Sequence, residues 1–251
     1  MATSRIIQFN ILAAHLLVCA WLLIDPSWSV AGWGLLGILF SRIGGEVYNH
    51  RYLAHRSFKL KPYLEPFFFF ISNAIGVGSS LSFVAIHRHH HKHGDTENDP
   101  HSPIYKSAFK VWTLDWGIEP KDIPMIAIRD LLKDKKQVFV NRHYFKLYYS
   151  WLAILISLSF VFQSWIPIIS FSAIPLLWGI HNAGIQDVIC HKFGYRNFET
   201  KDNSRNNTLA NMIGMGTGLH NNHHAHPGRW NYAVKWWEID PTSWIIRLVK
   251  C

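Results

Sequence analysis

The sequence is poor in cysteine and in charged residues. Its 251 residues include only three cysteines, too few for a disulfide framework, and their spacing does not match a metal-binding motif. Charged residues make up 16% of the chain, whereas soluble domains contain about 25%. Hydrophobic residues make up 49%, and tryptophan alone occurs 12 times. This composition excludes a disordered protein and argues against a typical cytosolic globular domain.

Four long runs with little charge predict an all-α membrane protein. Each run approaches the ~20 residues that a helix needs to cross the hydrocarbon core of a bilayer. The predicted spans are residues 7–24, 28–46, 147–163 and 165–187. Short turns pair them into two hairpins, and we expect the first run to be retained because no small-residue cleavage site follows it. The alternative, core helices of a soluble bundle, requires a polar face that these runs almost lack.

A fifth apolar segment, residues 62–86, is also long enough to span the bilayer. A full crossing here would place the histidines near residue 50 and those near residue 90 on opposite sides of the membrane. We therefore expect an interfacial or re-entrant helix. Residues 87–146 and 188–251 are predicted to form a cytoplasmic helical cap, which includes a helix from Ile123 to Val140. Because internal repeats and interdomain linkers are absent from the sequence, residues 1–251 are predicted to form a single domain.

The basic residues are unevenly distributed. The net charge is +9 with histidine neutral, yet neither short turn contains a lysine or an arginine. The basic residues concentrate in 51–61, 88–146, 192–205 and 229–250. Such segments are typical of the cytoplasmic side of a membrane protein. We therefore interpret the charge as a sign of multi-pass topology, and we predict no nucleic-acid partner.

Sixteen histidines are unusual in a chain of this length, and eight of them form three clusters. The clusters are His50 and His55; His87, His90 and His91; and His220, His223 and His224. In the second and third clusters the spacing i, i+3, i+4 places three imidazoles on one helical face. His50 and His55 differ by about 140° on an α-helix, so they need a helix end between them or they bind different ions. Because eight nitrogens exceed what one ion binds, a dinuclear site is predicted, and imidazole suits Zn, Cu, Fe and Ni alike.

These clusters and the residues around them resemble the integral-membrane fatty acyl desaturases of the acyl-CoA (Δ9) type, most closely the short bacterial members with three histidine boxes. The resemblance extends from about Arg42 to His226. It is carried by His50-Arg-Tyr-Leu-Ala-His55-Arg-Ser-Phe, His87-Arg-His-His-His91-Lys-His-Gly-Asp-Thr-Glu-Asn-Asp-Pro-His101, Cys190-His191-Lys-Phe-Gly-Tyr and His220-Asn-Asn-His-His224-Ala-His-Pro.

The resemblance implies that the eight clustered histidines bind two irons and that His191 is a ninth ligand. In the family, an asparagine four residues before this ninth histidine holds a metal-bound water. This sequence has Asp187 there, and its carboxylate would bind a metal directly or through water. We expect Glu46 to hydrogen-bond His50, with an ion pair to Arg42 as the alternative. We also expect three further residues to hold the second box in place, namely Asp95, Asp99 and His101.

The resemblance also implies the reaction. Two iron ions and O2 would introduce a cis double bond, at Δ9, into a saturated acyl chain carried by CoA, by acyl-carrier protein or by a lipid. Because the sequence contains no flavin, haem or iron–sulfur motif, we expect a separate redox carrier, such as ferredoxin, rubredoxin or a b-type cytochrome. The active site is expected on the cytoplasmic face. The alternatives are a hydroxylase, a decarboxylase or another oxygenase on the same scaffold, and, less favoured, a metal carrier or transporter.

Overall fold

The computed structural model describes residues 3–251, and over that range the chain is helical, with three isolated β-bridges as its only extended pairing. The helices are α1 (Thr3–Ile24), α2 (Trp28–Ala54), α3 (Glu65–Ala74), α4 (Ser80–His93), α5 (Ala108–Trp112), α6 (Lys135–Val161), α7 (Ile166–Ile189), α8 (Thr208–Ile213), α9 (His220–Ala225) and α10 (Pro241–Val249). Single 3₁₀ turns occur at Pro62–Leu64, Pro120–Asp122, Met125–Ile128 and Leu131–Lys133.

Four of these helices, α1, α2, α6 and α7, are long and apolar enough to cross a membrane, as the sequence predicted. Their bounds differ most from the predicted spans at two ends, the end of the second helix and the start of the third. The second helix continues to Ala54 because its polar last turns are buried in the protein. The third begins at Lys135, where the Asp134 side chain accepts a hydrogen bond from the Lys136 backbone N–H and caps the helix.

The hydrogen bonding of α2 changes at Arg42. From there to Ala54 the backbone forms a π-helix, in which the N–H of one residue bonds the carbonyl five residues earlier. The His55 N–H donates to the His50 carbonyl at 3.1 Å. In this wider turn, residues five apart lie one above the other. The helix also ends at Ala54, so both features bring His50 and His55 to the same side of α2.

Residues 62–86 form two helices instead of the single interfacial helix predicted. The first, α3, ends at Ala74, and α4 begins at Ser80. Between them Gly76 and Gly78 have φ angles of +100° and +106°, which glycine adopts without steric cost. The Ser79 hydroxyl then accepts from the Ser82 N–H at 3.1 Å and caps α4. The break directs α4 towards the site, so the second histidine cluster lies on its last turns.

The helix predicted from Ile123 to Val140 is wrong. The structure has two 3₁₀ turns there, and the α-helix begins only at Lys135. Pro124 explains the difference, because proline lacks an N–H and disfavours helical backbone at the preceding residue. Ile123 is accordingly extended, with a ψ angle of 131°.

Two glycines allow α2 to pack closely against its neighbours. A Cβ atom added to Gly37 would lie 1.9 Å from the Ser170 carbonyl oxygen of α7, and one added to Gly44 would lie 2.7 Å from the Ser72 Cα of α3. Small residues at such crossings are typical of helix packing in membranes. The two contacts hold α2, and with it the first histidine cluster, against both α7 and α3.

Candidate metal centre

The nine candidate histidines converge in two neighbouring groups. The first group contains five residues, His50, His55, His87, His91 and His223. The second group contains four, His90, His191, His220 and His224. Within each group, one ring nitrogen per residue lies within 4.8 Å of all the others. Both groups therefore have the number, type and spacing of nitrogens that a transition-metal ion binds.

Two helices contribute to both groups. The last turns of α4 place His87 and His91 in the first group and His90 in the second. In the same way, α9 places His223 in the first group and its two other histidines in the second. Side chains three and four residues apart diverge slightly around a helix. One short helix can therefore serve two adjacent ions.

Carboxylates determine where the hydrogen lies on four of these rings. The pairs have Nδ1–oxygen distances of 2.7–2.9 Å and are His50–Glu46, His90–Asp99, His191–Asp95 and His224–Asp202. A carboxylate only accepts hydrogen bonds, so each Nδ1 carries the hydrogen and each Nε2 keeps its lone pair. This is the arrangement that second partners impose on histidines that bind a metal.

One contact tests whether a cation fits between these rings. The Nε2 atoms of His90 and His224 lie 3.4 Å apart, and both rings hold their hydrogen on the other nitrogen. Two lone pairs therefore face each other without a hydrogen between them. A divalent metal ion placed among the nitrogens of this group would replace that repulsion by attraction. The donor set of the second group thus fits a bound metal.

Burial disfavours the charged form of four of these imidazoles. It lowers the pKa of His224 to about 4, although Asp202 partly offsets the effect. Burial also lowers the pKa of His91, His220 and His223 well below the ordinary value. Neutral imidazole is the form that binds metals, so these rings need not lose a proton at neutral pH.

The three partner aspartates outside the spanning helices remain ionised. Burial by itself would raise the pKa of Asp95, Asp99 and Asp202, but their histidine partners and additional hydrogen bonds bring each pKa below its usual range. An ionised carboxylate behind a ligand ring raises the basicity of that ring towards a metal.

A largely apolar cavity of about 1390 Å³, its open mouth included, ends at the histidine groups. Its walls come from α2, α4, α7 and the loop that follows α5. Leu114, Trp116 and Ile118 line it on the loop side, whereas His87 and His90 lie at the metal end. Such a cavity suits a long apolar ligand.

The comparisons with known proteins agree with this geometry. The family model for fatty acid desaturase matches residues 9–249. The chain belongs to the fatty acid desaturase family. Family membership and four helices long and apolar enough to cross a bilayer fit an integral membrane protein. The clustered histidines are consistent with the histidine boxes of this family and fit a metal site.

Curated proteins similar to this chain are named as desaturases. Acyl-CoA 5-desaturase AL21 of Anemone leveillei is 35% identical over 212 residues, which cover 82% of this chain and 64% of the relative. Delta-9 desaturase-like 5 protein of Arabidopsis thaliana is 32% identical over 235 residues, 89% of this chain and 74% of the relative. The sn-1 stearoyl-lipid 9-desaturase of Anabaena variabilis is 28% identical over 230 residues, which cover 89% of this chain and 82% of the relative. The match thus spans less than two thirds of the first relative.

Two of the residues predicted at the site lie beside the histidine groups. Asp187 belongs to neither group, and its carboxylate lies 3.4 Å from His101 Nδ1. The His101 ring packs on His90 with centroids 4.2 Å apart. Asp187 also lines the cavity. Asp187 therefore lies at the cavity wall, next to the ring that packs on the second group.

Glu46 hydrogen-bonds His50 with one oxygen, as its position one turn before His50 predicted. Its other oxygen accepts from Arg51 Nε at 2.8 Å. The alternative partner, Arg42, instead donates to the Thr242 hydroxyl at 2.8 Å. Arg51 is fully buried and also binds Asp240 through two hydrogen bonds of 2.6 and 3.2 Å. This network ties the C-terminal part of the chain to the first histidine cluster.

Sequence reasoning missed Asp202 and Tyr232. Asp202 lies in a polar loop whose composition gives no sign of a partner for His224 22 residues later. The Tyr232 ring packs on His223 with centroids 4.7 Å apart and lies under the Arg51 guanidinium, 3.8 Å away. Both contacts depend on how the loops fold against α2 and α9, so spacing along the chain could not reveal them.

Proposed function

We propose that the protein is an O2-dependent di-iron fatty acyl desaturase. It introduces a cis double bond, at Δ9, into a saturated acyl chain carried as acyl-CoA or acyl-lipid. The observation that carries the proposal is the position of the two histidine groups at one end of an apolar cavity. Family membership supports the same reaction class, and the relatives bear names of 5- and 9-desaturases.

The first group would hold one iron and the second group the other. Bound there, the iron pair would supply the oxidation by O2 that removes two hydrogens from neighbouring methylenes, a reaction beyond the reach of any side-chain base. The protein's residues hold the rings in place. Glu46, Asp95, Asp99 and Asp202 keep the hydrogen on Nδ1, so that the Nε2 lone pair would be free to bind a metal.

The apolar cavity would orient the acyl chain and exclude water. Binding against Leu114, Trp116 and Ile118 removes hydrocarbon from water and fixes which methylenes lie near the histidines. The position of the double bond then depends on how far the chain extends beyond the metal end. We propose a cytoplasmic site, since the basic residues concentrate in the same segments as the histidines.

Reducing equivalents must reach the metals in every turnover. We propose that a separate carrier, such as ferredoxin, rubredoxin or a b-type cytochrome, docks on the basic face and supplies them. The head group of the substrate, whether CoA, acyl-carrier protein or lipid, would remain on this face while the acyl chain enters the cavity.

Expression in a host whose fatty acids are profiled tests the proposal. The parent should produce a new cis-unsaturated acid of unchanged chain length, and the purified protein should contain about two irons per chain. His90→Ala should abolish the product, because it removes a ligand of the second group. His143→Ala, a histidine on α6 outside both groups, is the matched control and should retain it. An alcohol or a shortened chain in place of the alkene would refute desaturation.

A further inference from the structure

One glycine of α2, Gly45, has no packing role that explains it. Other glycines of this helix permit close contacts, since a Cβ at Gly34 or Gly37 would meet α7 and one at Gly44 would meet α3. A Cβ at Gly45 would meet no atom within 4 Å. Glycine inside a helix lowers its stability relative to alanine. The empty space beside Gly45 is what its missing side chain provides.

That space belongs to the cavity that ends at the histidines. Gly45 lines it, one residue before Glu46 and five before His50, both of which line it as well. Gly32, on the same helix, also has no atom within 4 Å of an added Cβ, but it is exposed on the outer surface. Of these two glycines, only Gly45 would project a side chain into the space available to a ligand.

The cavity narrows on the side of Gly45 that faces away from the histidines. A Cβ at Gly179 of α7 would lie 3.3 Å from Ser41 Oγ, 3.7 Å from Ile75 Cγ2 and 3.8 Å from Val77 Cγ1. All four residues line the cavity, so its walls meet there. Ser41 precedes Gly45 by four residues, about one helical turn. Gly45 therefore lies between this narrow end and the metal end.

We propose that Gly45 determines the length of the acyl chain that the enzyme accepts. This inference rests on the proposed desaturase function. The methyl end of a long chain passes Gly45 on its way from the histidines towards Gly179. A larger side chain at position 45 would occupy that path, so chains with a long methyl-terminal part would be excluded and shorter chains would still reach the metals.

A graded series of variants tests the inference. Gly45→Ala, Gly45→Val and Gly45→Leu are expressed with the parent in a host supplied with myristic, palmitic and stearic acids. We expect the ratio of stearoyl-derived to palmitoyl- and myristoyl-derived products to fall stepwise with side-chain size, by about tenfold or more for leucine. Gly32→Leu, which makes the same change on the lipid side of α2, should leave the ratio unchanged.

Iron content separates this effect from misfolding. Variants that keep the parent's iron content and show the parent's product ratio would overturn the inference. If Gly45→Leu loses iron, the product ratios of Gly45→Ala and Gly45→Val test the inference instead. The alanine variant should still fold, because a single methyl group at this position meets no atom within 4 Å. A parent that yields no unsaturated product would refute the proposed function itself, which is a different outcome.

Discussion

Four of the candidate ligand histidines depend on a carboxylate behind the ring. His90 and His224 point their Nε2 atoms at each other because Asp99 and Asp202 hold the hydrogens on Nδ1. Without the carboxylate, a neutral imidazole could place its hydrogen on either nitrogen, and the form with the hydrogen on Nε2 cannot bind a metal through that atom. The partner carboxylates therefore stabilise the metal-binding form of the site before any ion arrives.

Removing the partner of His224 should weaken metal binding. We expect Asp202→Ala to reduce iron affinity about 10- to 100-fold, the usual effect of losing such a partner. The measurement is the chelator concentration at which the purified protein loses its second iron. Asp202→Asn, which retains an acceptor oxygen for the loop, should have a smaller effect. Asp115→Ala, at an exposed aspartate, is the control, and equal iron loss in all variants would contradict the assignment.

At the scale of single elements, the π-helical part of α2 has the clearest consequence for the site. An α-helix would separate His50 and His55 by about 140°. The hydrogen bond from the His55 N–H to the His50 carbonyl closes the wider turn instead, and both rings enter the first group. π-helical turns often occur at functional sites. Here the turn brings the rings of two residues five apart into one group.

The packing of α2 against α7 should be sensitive to side-chain size at one position. Gly37→Leu would force a Cβ to within 1.9 Å of the Ser170 carbonyl oxygen, so the helices must separate. We expect a loss of about 3 kcal/mol in the free energy of unfolding, at the upper end of overpacking effects. Thermal unfolding in detergent measures it. Gly32→Leu should change stability by less than about 0.5 kcal/mol, and equal stability of the two variants would show that α2 and α7 do not pack as described.

At the scale of the whole molecule, we propose that α1, α2, α6 and α7 each cross the membrane once and so fix which segments share a side of it. Turns at residues 25–27 and 162–165 lie at the ends of α1 and α6 opposite to the histidines. An even number of crossings separates the first histidine cluster from the third. All three clusters can therefore meet only if residues 62–93 do not cross the bilayer.

Labelling from one side of the membrane tests this topology. In a background with the exposed Cys19 and Cys251 replaced by serine, Asp25→Cys should react with an impermeant maleimide added to intact cells. Lys201→Cys should react only after the membrane is permeabilised, because we propose that its loop lies in the cytoplasm. The reverse pattern would place the active site on the outer face. Labelling of both positions in intact cells would instead mean that the parity of the crossings is wrong.

The amino-acid sequence by itself determined the membrane character, the four helices long and apolar enough to cross a bilayer, and two of the three histidine clusters. Each depends on which residue types occur and on how far apart they lie along one helix. Both can be read from a short stretch of sequence. The order α1, α2, α6 and α7 follows from charge-poor runs alone. The boxes His87, His90 and His91 and His220, His223 and His224 follow from positions three and four apart.

Only the tertiary structure decided how these parts meet. It divided residues 62–86 at Gly76 and Gly78, replaced a predicted helix by 3₁₀ turns around Pro124, and sorted nine histidines into groups of five and four. It also paired Asp95 with His191 across 96 residues. Such pairings depend on the path of loops and on close helix packing, which are governed by contacts between residues far apart in the chain and leave no periodic pattern in it.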